Sequence, residues 1–462
     1  MNKSQKSQRH FSQRKLLLAL LFTASPFFLG MSPAKVGNRY MIKITDQEFR
    51  DRQADIRKQG LDYAGVDLKN HFVYLLSRDA DLVPLALHAQ PVQQIFSSDR
   101  PDAKYKTSDQ VATKLLGYAA SFPDLAAVLP IGKSLEGRDI FALKITGKVQ
   151  TPNSRPAILF NGMHHAREVM STEVPLDIAD YLLTNYGKDA SVTHWVDSTQ
   201  IYIIPMLNVD GNHLVWTSDS MWRKNARDGV GVDINRNYPF AWNTCNGSSS
   251  NRNADDYRGP SPASEPETNA LMNFVTQIHP VFDISFHSFG ELVIYPYGCG
   301  SHTEPGTIVE PIGRAMADLI TADDGRSKYT AGIAPDLLYS VDGDDNDWMY
   351  HEQHVIAYTI EVNAGSQGFQ PKYDRWRDST VKRVRPAWQY LLNKMSSTLI
   401  TGTSHASSIR IAEVNGRYSE DIKVNEDGTF HAVVNPGSYE LSGPGRHAKI
   451  VTVVKTPVHV DL

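Results

Sequence analysis

Between Ser108 and Ser396, apolar runs alternate with helix-period stretches, and this alternation restricts the fold more than any other feature. Strands are predicted over residues 140–145, 157–160, 200–205, 281–286, 291–297 and 354–362. Helices are predicted over 108–122, with Ser108 as the N-cap, and over 171–186, 264–278, 309–321 and 375–396. Helices that separate buried-looking strands imply an α/β class: a mixed, mostly parallel sheet with helices covering both faces.

The flanks read differently. Lys3, Lys6, Arg9, Arg14 and Lys15 precede the apolar run Leu16–Phe22, and Ser32-Pro33-Ala34 follows as a small-residue cleavage pattern, so residues 1–34 read as a secretory signal peptide. The apolar core is short and contains Pro26, which argues against a membrane anchor and for a secreted or periplasmic product. Residues 36–98 read as a compact unit. Strands are expected near 39–44 and 71–76, helices over 46–59 and 82–89, and a closing segment over 92–96. The polar stretch 97–104 reads as a linker open to proteolysis, so residues 35–104 have the layout of a propeptide, with an ordinary N-terminal accessory domain as the alternative. From residue 403 onward, short apolar runs separated by Asn415-Gly416, Asp427-Gly428 and Pro436-Gly437 indicate a small all-β module, leaving 105–402 as the central domain.

Composition excludes some partners. Without the leader, the 47 basic residues fall to 42 against 51 acidic ones, and an acidic chain is a poor match for nucleic acid or an anionic membrane. Cys245 and Cys299 permit one internal disulfide, which export favours; their spacing leaves the pairing open.

Three places carry metal or acid–base chemistry. Gly162-Met-His-His-Ala-Arg-Glu168 crowds two histidines and a glutamate at a strand end, and imidazole nitrogen with carboxylate oxygen suits zinc. His287 closes the apolar strand Phe282–Phe286. Glu361 lies inside Ala357–Val362, where a carboxylate is costly unless paired or near a metal. Taken singly, a strand histidine is more often a hydrogen-bonded core residue and a lone glutamate a salt-bridge partner.

Together, His165-Ala-Arg-Glu168, Met221-Trp-Arg-Lys224, Gly231-Val-Asp-Ile-Asn-Arg-Asn237, His287-Ser288, Tyr339 with Asp347-Trp348, and Glu361 resemble the zinc metallocarboxypeptidases of the A/B type, including bacterial carboxypeptidase T. The resemblance covers roughly residues 105–398. It implies that His165, Glu168 and His287 ligate one Zn2+, with His165 chosen over His164 by the family's His-x-x-Glu spacing. It implies Asp233 behind His165, Glu361 as general base and Arg223 as oxyanion donor. Asn235 and Arg236 would clamp the substrate's terminal carboxylate, Tyr339 would close over it, and Arg167 and Ser288 would contact the groove.

The specificity segment is Ser340–Asn346. A-type enzymes place an apolar residue where Asn346 stands and B-type enzymes an aspartate; Asp344 matches an acid in carboxypeptidase T, and Asp345 adds a second charge. Mixed specificity, with Lys and Arg accepted, is expected from these three positions. The acidic run fails as an EF-hand because Asp347 stands where glycine is needed. Calcium in another loop stays open by resemblance alone. The expected partners are peptides with a free C-terminus and an activating protease. The alternatives are a peptidoglycan stem-peptide hydrolase of the same fold or an inactive binding protein. The terminal β module resembles the transthyretin-like domain of regulatory carboxypeptidases through Asp427-Gly-Thr-Phe430 and Asn435-Pro-Gly-Ser-Tyr439.

Overall fold

A computed structural model describes residues 39–59, 61–77, 93–95, 99–300, 302–303, 307–443 and 447–462. The leader read over 1–34 and the helix read over 82–89 lie outside these residues. No helix among the described residues is long and apolar enough to cross a membrane.

The N-terminal unit is an antiparallel sheet of order β2-β3-β1-β4, made of β1 (Arg39–Thr45), β2 (Asp62–Asp67), β3 (Phe72–Ser77) and β4 (Gln93–Ile95). Helix Asp46–Lys58 follows β1 directly, and the Thr45 side chain caps it by accepting from the Glu48 amide. Strand β2 escapes a hydropathy reading because Asp62-Tyr-Ala-Gly-Val-Asp67 starts and ends on carboxylates. Its apolar partners lie in another part of the chain. Ile42, Ile44, Val66, Val73 and Leu75 share a core cluster with Leu292, Ile294, Ala334 and Val341 of the central domain.

The central sheet has eight strands: β5 (Ala126–Lys133), β6 (Asp139–Ile145), β7 (Ala157–Gly162), β8 (Gln200–Ile204), β9 (Phe282–Ser288), β10 (Leu292–Ile294), β11 (Thr330–Gly332) and β12 (Ile356–Val362). Their order is β11-β10-β12-β9-β7-β8-β6-β5. The inner four, β12-β9-β7-β8, are mutually parallel, and antiparallel pairings begin at β10 and β6. Every residue of β7 and β9 is buried, as a parallel strand covered on both faces requires. Edge strands β5 and β11 were not legible in the sequence. The first carries Pro130, where the register slips, and is only partly buried; the second has three residues.

Helices Met170–Asn185, Pro266–Ile278, Val309–Leu319 and Tyr373–Ser397 agree with the helical periodicity. The cap of helix Ser108–Ser121 is Thr107 rather than Ser108. Thr107 and Gln110 exchange side-chain and backbone hydrogen bonds in a capping box. Trp388, fully buried in the last helix, meets Phe160, Tyr181 and Trp195 edge-on.

The all-β region starts at Leu399, inside the span assigned to the central domain. β13 (Leu399–Thr403) pairs with β16 (Thr429–Val433) and β19 (Val458–Asp461). β14 (Ser408–Glu413), β15 (Ser419–Lys423), β17 (Gly437–Ser442) and β18 (Lys449–Val453) form a second sheet of order β15-β14-β17-β18. Ile409, Ile411 and Leu441 of this sheet belong to one buried cluster with Ile400, Phe430 and Met395. The module therefore continues the core of the central domain.

Candidate metal centre

The topology puts reactive side chains at one edge of the sheet. β7 is followed in sequence by β8 on one side, while β9 and β12 lie on the other, so the C-terminal ends of β7 and β9 flank the point where strand order reverses. A crevice at such a point is where open α/β sheets bind ligands. His165 and Glu168 occupy the turn after β7, His287 lies at the end of β9, and Glu361 stands directly beside His287 in the β9–β12 register.

The three predicted ligands converge. His165 Nδ1 lies 2.8 Å from Glu168 Oε1, His287 Nδ1 is 3.1 Å from Glu168 Oε2, and the two Nδ1 atoms are 3.1 Å apart. Two imidazole nitrogens that close need a proton or a cation between them. Ligands around a tetrahedral zinc ion, with bonds of about 2.0–2.1 Å, stand roughly 3.3 Å apart. Donor chemistry and spacing both fit zinc. The other triple of potential donors among the described residues is Cys245, Cys299 and Asp342; its cysteines form a disulfide, and Asp342 accepts from the amides of Cys245 and Gly247.

The surroundings tune the set. Asp233 Oδ1 meets His165 Nε2 at 3.1 Å, while its Oδ2 accepts from Arg223 Nε and Nη2 at 3.0 and 2.8 Å. One buried carboxylate thus orients both an imidazole and a guanidinium. Burial alone would raise Glu168 and Asp233, but the imidazoles on Glu168, and Arg223 with His165 on Asp233, hold both well below the usual carboxylate range. Glu361 behaves oppositely: burial, reinforced by the Glu168 charge, pushes it up to about 8. His164 is turned away from the convergence point. Its Nε2 lies 2.9 Å from the Tyr238 hydroxyl, and burial lowers it to about 4.

A cavity adjoins the ligands, lined by Arg223, Asn235, Arg236, Tyr339, Asp344, Ser288 and Glu361. Arg236 is buried, donating to the carbonyls of Asn235 and Gly247 and to the Tyr339 hydroxyl, and it forms no ion pair among the described residues. Asn235 accepts the Asp345 amide on its side-chain oxygen, which leaves its NH2 as the donating end. The backbone amide of Ser288 bonds Glu168, and its buried hydroxyl is without a partner.

The acidic run divides. Asp344 lines the cavity, and its buried Oδ1 has no hydrogen-bond partner. Asp345 and Asn346, read as substrate contacts, are absent from that lining: Asp345 faces His164 Nε2 at 3.5 Å, and Asn346 reaches the Ile294 carbonyl at 3.5 Å. The reason is local. Helix Asp345–Gln353 starts there with Asp344 as N-cap, and successive helical residues point about 100° apart. Arg167 is also occupied, by Asp62 of the N-terminal unit and by the Phe369 ring at 4.1 Å. Residues 36–98 supply no motif, so Tyr63, whose ring lies 4.1 Å from that of Tyr339, was not foreseeable as part of the site. Val341, inside the specificity segment, lines the cavity as expected, and Ile294 and Thr359 line it as well without belonging to any motif.

Two imidazoles and a carboxylate converging on one point, with the half-buried Glu361 carboxylate alongside, form a donor set that could hold a single metal ion. The chain belongs to the zinc carboxypeptidase family, whose model matches residues 113–388. Metallocarboxypeptidase A of Trichophyton tonsurans is 37% identical over 251 residues, 52% of this chain; the match spans 59% of that relative's length. Carboxypeptidase A5 of Homo sapiens is 29% identical over 356 residues, 73% of this chain and 77% of that protein. The structure of carboxypeptidase A from Helicoverpa armigera shares the fold, with a TM-score of 0.65 at 21% identity over 78% of this chain and 97% of that one.

Proposed function

We propose that this chain is an exported zinc carboxypeptidase, made as a zymogen, that removes single C-terminal residues from peptides and proteins. The observation carrying the exopeptidase reading is Arg236. A buried guanidinium with no carboxylate in direct contact is expensive; Asp233 and Asp256 act on this one only through their charge, and it shares a cavity with the ligand set and Glu361. A substrate's terminal carboxylate supplies the missing charge in the bidentate geometry that arginine favours. Tyr339, already bonded to Arg236, closes over it.

His165, Glu168 and His287 would hold the metal. A zinc ion there supplies a Lewis acid for the scissile carbonyl, acidifies water, and by its charge lowers Glu361 into the range of a working base. Glu361 takes a proton from the attacking water and passes it to the leaving amine. Arg223, fixed by Asp233, stabilises the oxygen that becomes negative. Glu361→Gln tests these roles: turnover should fall by about 10²–10⁴-fold while bound zinc, measured by atomic absorption, is unchanged. Hydrolysis at the wild-type rate would exclude the mechanism.

Mixed specificity follows from Asp344. Burial, with the Asp347 and Asp345 charges, raises this carboxyl well above its ordinary value. In its neutral form it tolerates an apolar side chain in the cavity, and an entering Lys or Arg draws out the carboxylate.

The N-terminal unit supports the zymogen reading by what it covers. Besides Asp62 on Arg167 and Tyr63 on Tyr339, Lys69 bonds Glu291 at 2.8 Å and Arg39 bonds Asp219 at 2.6 Å. The cavity beneath has a volume of about 60 Å³, room for a water or two and not for a peptide. Asp99, Arg100 and Asp102–Lys104 are exposed, a natural place for an activating protease. The signal peptide would export the chain. The C-terminal β module serves as a packing partner of the central domain, with Lys423 reaching Gln353 and Glu420 receiving the Tyr350 hydroxyl.

A further inference from the structure

His165 and His287 both turn Nδ1 toward the ion position, yet the groups behind them differ. Behind His165 stands the Asp233 carboxylate, whereas His287 Nε2 meets a neutral hydroxyl, Ser285 Oγ, at 3.3 Å. Ser285 and His287 alternate on β9, so their side chains leave the same face of the strand.

Ser285 Oγ has two further neighbours, Asn161 Oδ1 at 3.0 Å and His164 Nδ1 at 3.3 Å. A hydroxyl has one proton to give and two lone pairs to offer, so the neighbours decide its direction. Asn161, paired with Ser285 across β7 and β9, places its amide nitrogen 3.0 and 3.1 Å from the two carboxyl oxygens of buried Asp283. That contact turns the amide oxygen of Asn161 toward Ser285. An amide oxygen only accepts, so the hydroxyl proton goes to Asn161 and both lone pairs face the imidazoles. His287 then carries its proton on Nε2, which leaves the Nδ1 lone pair for the metal. His164 carries its proton on Nδ1, which leaves Nε2 to accept from Tyr238 at 2.9 Å. Asp345 Oδ2, 3.5 Å from the same Nε2, is the longer contact.

We infer that Ser285 is a positioning residue for the metal site: oriented by Asp283 through Asn161, it fixes the His287 tautomer that binds metal, and His164 is the second donor that holds the hydroxyl in place. This rests on His287 being a ligand, so the test separates the two claims. Zinc affinity is measured by chelator competition on the full-length wild type, on His287→Ala and on Ser285→Ala. Ser285→Ala should weaken zinc binding by roughly 10–100-fold, and the visible spectrum of its Co2+ form should shift. Zinc affinity in Ser285→Ala within about twofold of wild type overturns the positioning role. Unchanged affinity in His287→Ala overturns the ligand assignment itself. Imidazole nitrogen NMR of the zinc-loaded wild type makes a check that needs no variant. It should show His287 protonated on Nε2 and His164 on Nδ1; a His164 proton on Nε2 overturns the direction assigned to the Ser285 hydroxyl.

Discussion

Asp344 brings an unpartnered carboxyl oxygen to a cavity whose other walls include Ile294, Ala334, Leu338 and Val341. Under the proposed mixed specificity, such a pocket would receive an apolar side chain on its walls and a cationic one on its acid. Asp344→Asn should therefore lower kcat/KM for C-terminal Arg or Lys by about 10–100-fold and leave C-terminal Phe nearly unchanged. The pH dependence has a definite sign. Burial raises this acid, so it is neutral at low pH and ionises as pH climbs through the raised value. The Arg-to-Phe ratio of kcat/KM should rise with pH over that range in the wild type and stay flat in the variant. A falling ratio would contradict the assignment. At this scale the sequence was most informative about polar residues in or just after apolar strands: His165 and Glu168 in the turn after β7, His287 on β9 and Glu361 on β12 all meet at the centre. It was least informative about orientation. Asp344, Asp345 and Asn346 are equivalent acids or amides on paper, and only the helix start at Asp345 separates the one facing the cavity from the two that do not.

Among elements, hydropathy was legible where burial is complete and obscure at edges. β7, β9 and β12 read clearly because both faces are covered. β2, β5, β11 and β13 did not, since each is short, proline-bearing or completed by partners far along the chain. Helix Tyr373–Ser397 is the element that joins the sheet to the β module, and Trp388 is its anchor against Phe160 of β7. Truncating a fully buried tryptophan removes its transfer energy and opens a cavity. Trp388→Ala should cost about 3–5 kcal/mol, visible as a fall in the denaturant midpoint with little change in slope. A loss below about 1 kcal/mol would mean that the helix is held by other contacts.

For the molecule as a whole, the N-terminal sheet lies on the site with almost no tolerance at Gly65, where an added Cβ would stand 2.6 Å from Phe289 Cε2. Gly65→Val should lift the unit and raise activity of the uncleaved chain, and mass spectrometry of the active secreted form should find residues 36–98 missing. An active form that retains them would end the zymogen reading. A zinc exopeptidase assembled from these parts must depend on both a free C-terminus and the metal. The processed protein is given a panel of peptides differing in the last residue, each with a free and an amidated terminus, and products are weighed by mass spectrometry before chelation, after chelation and after zinc is restored. Single C-terminal residues should be lost from free-ended peptides only, with the loss abolished by the chelator and returned by zinc. Internal cleavage, equal cleavage of amidated peptides, or indifference to the chelator would contradict this reading.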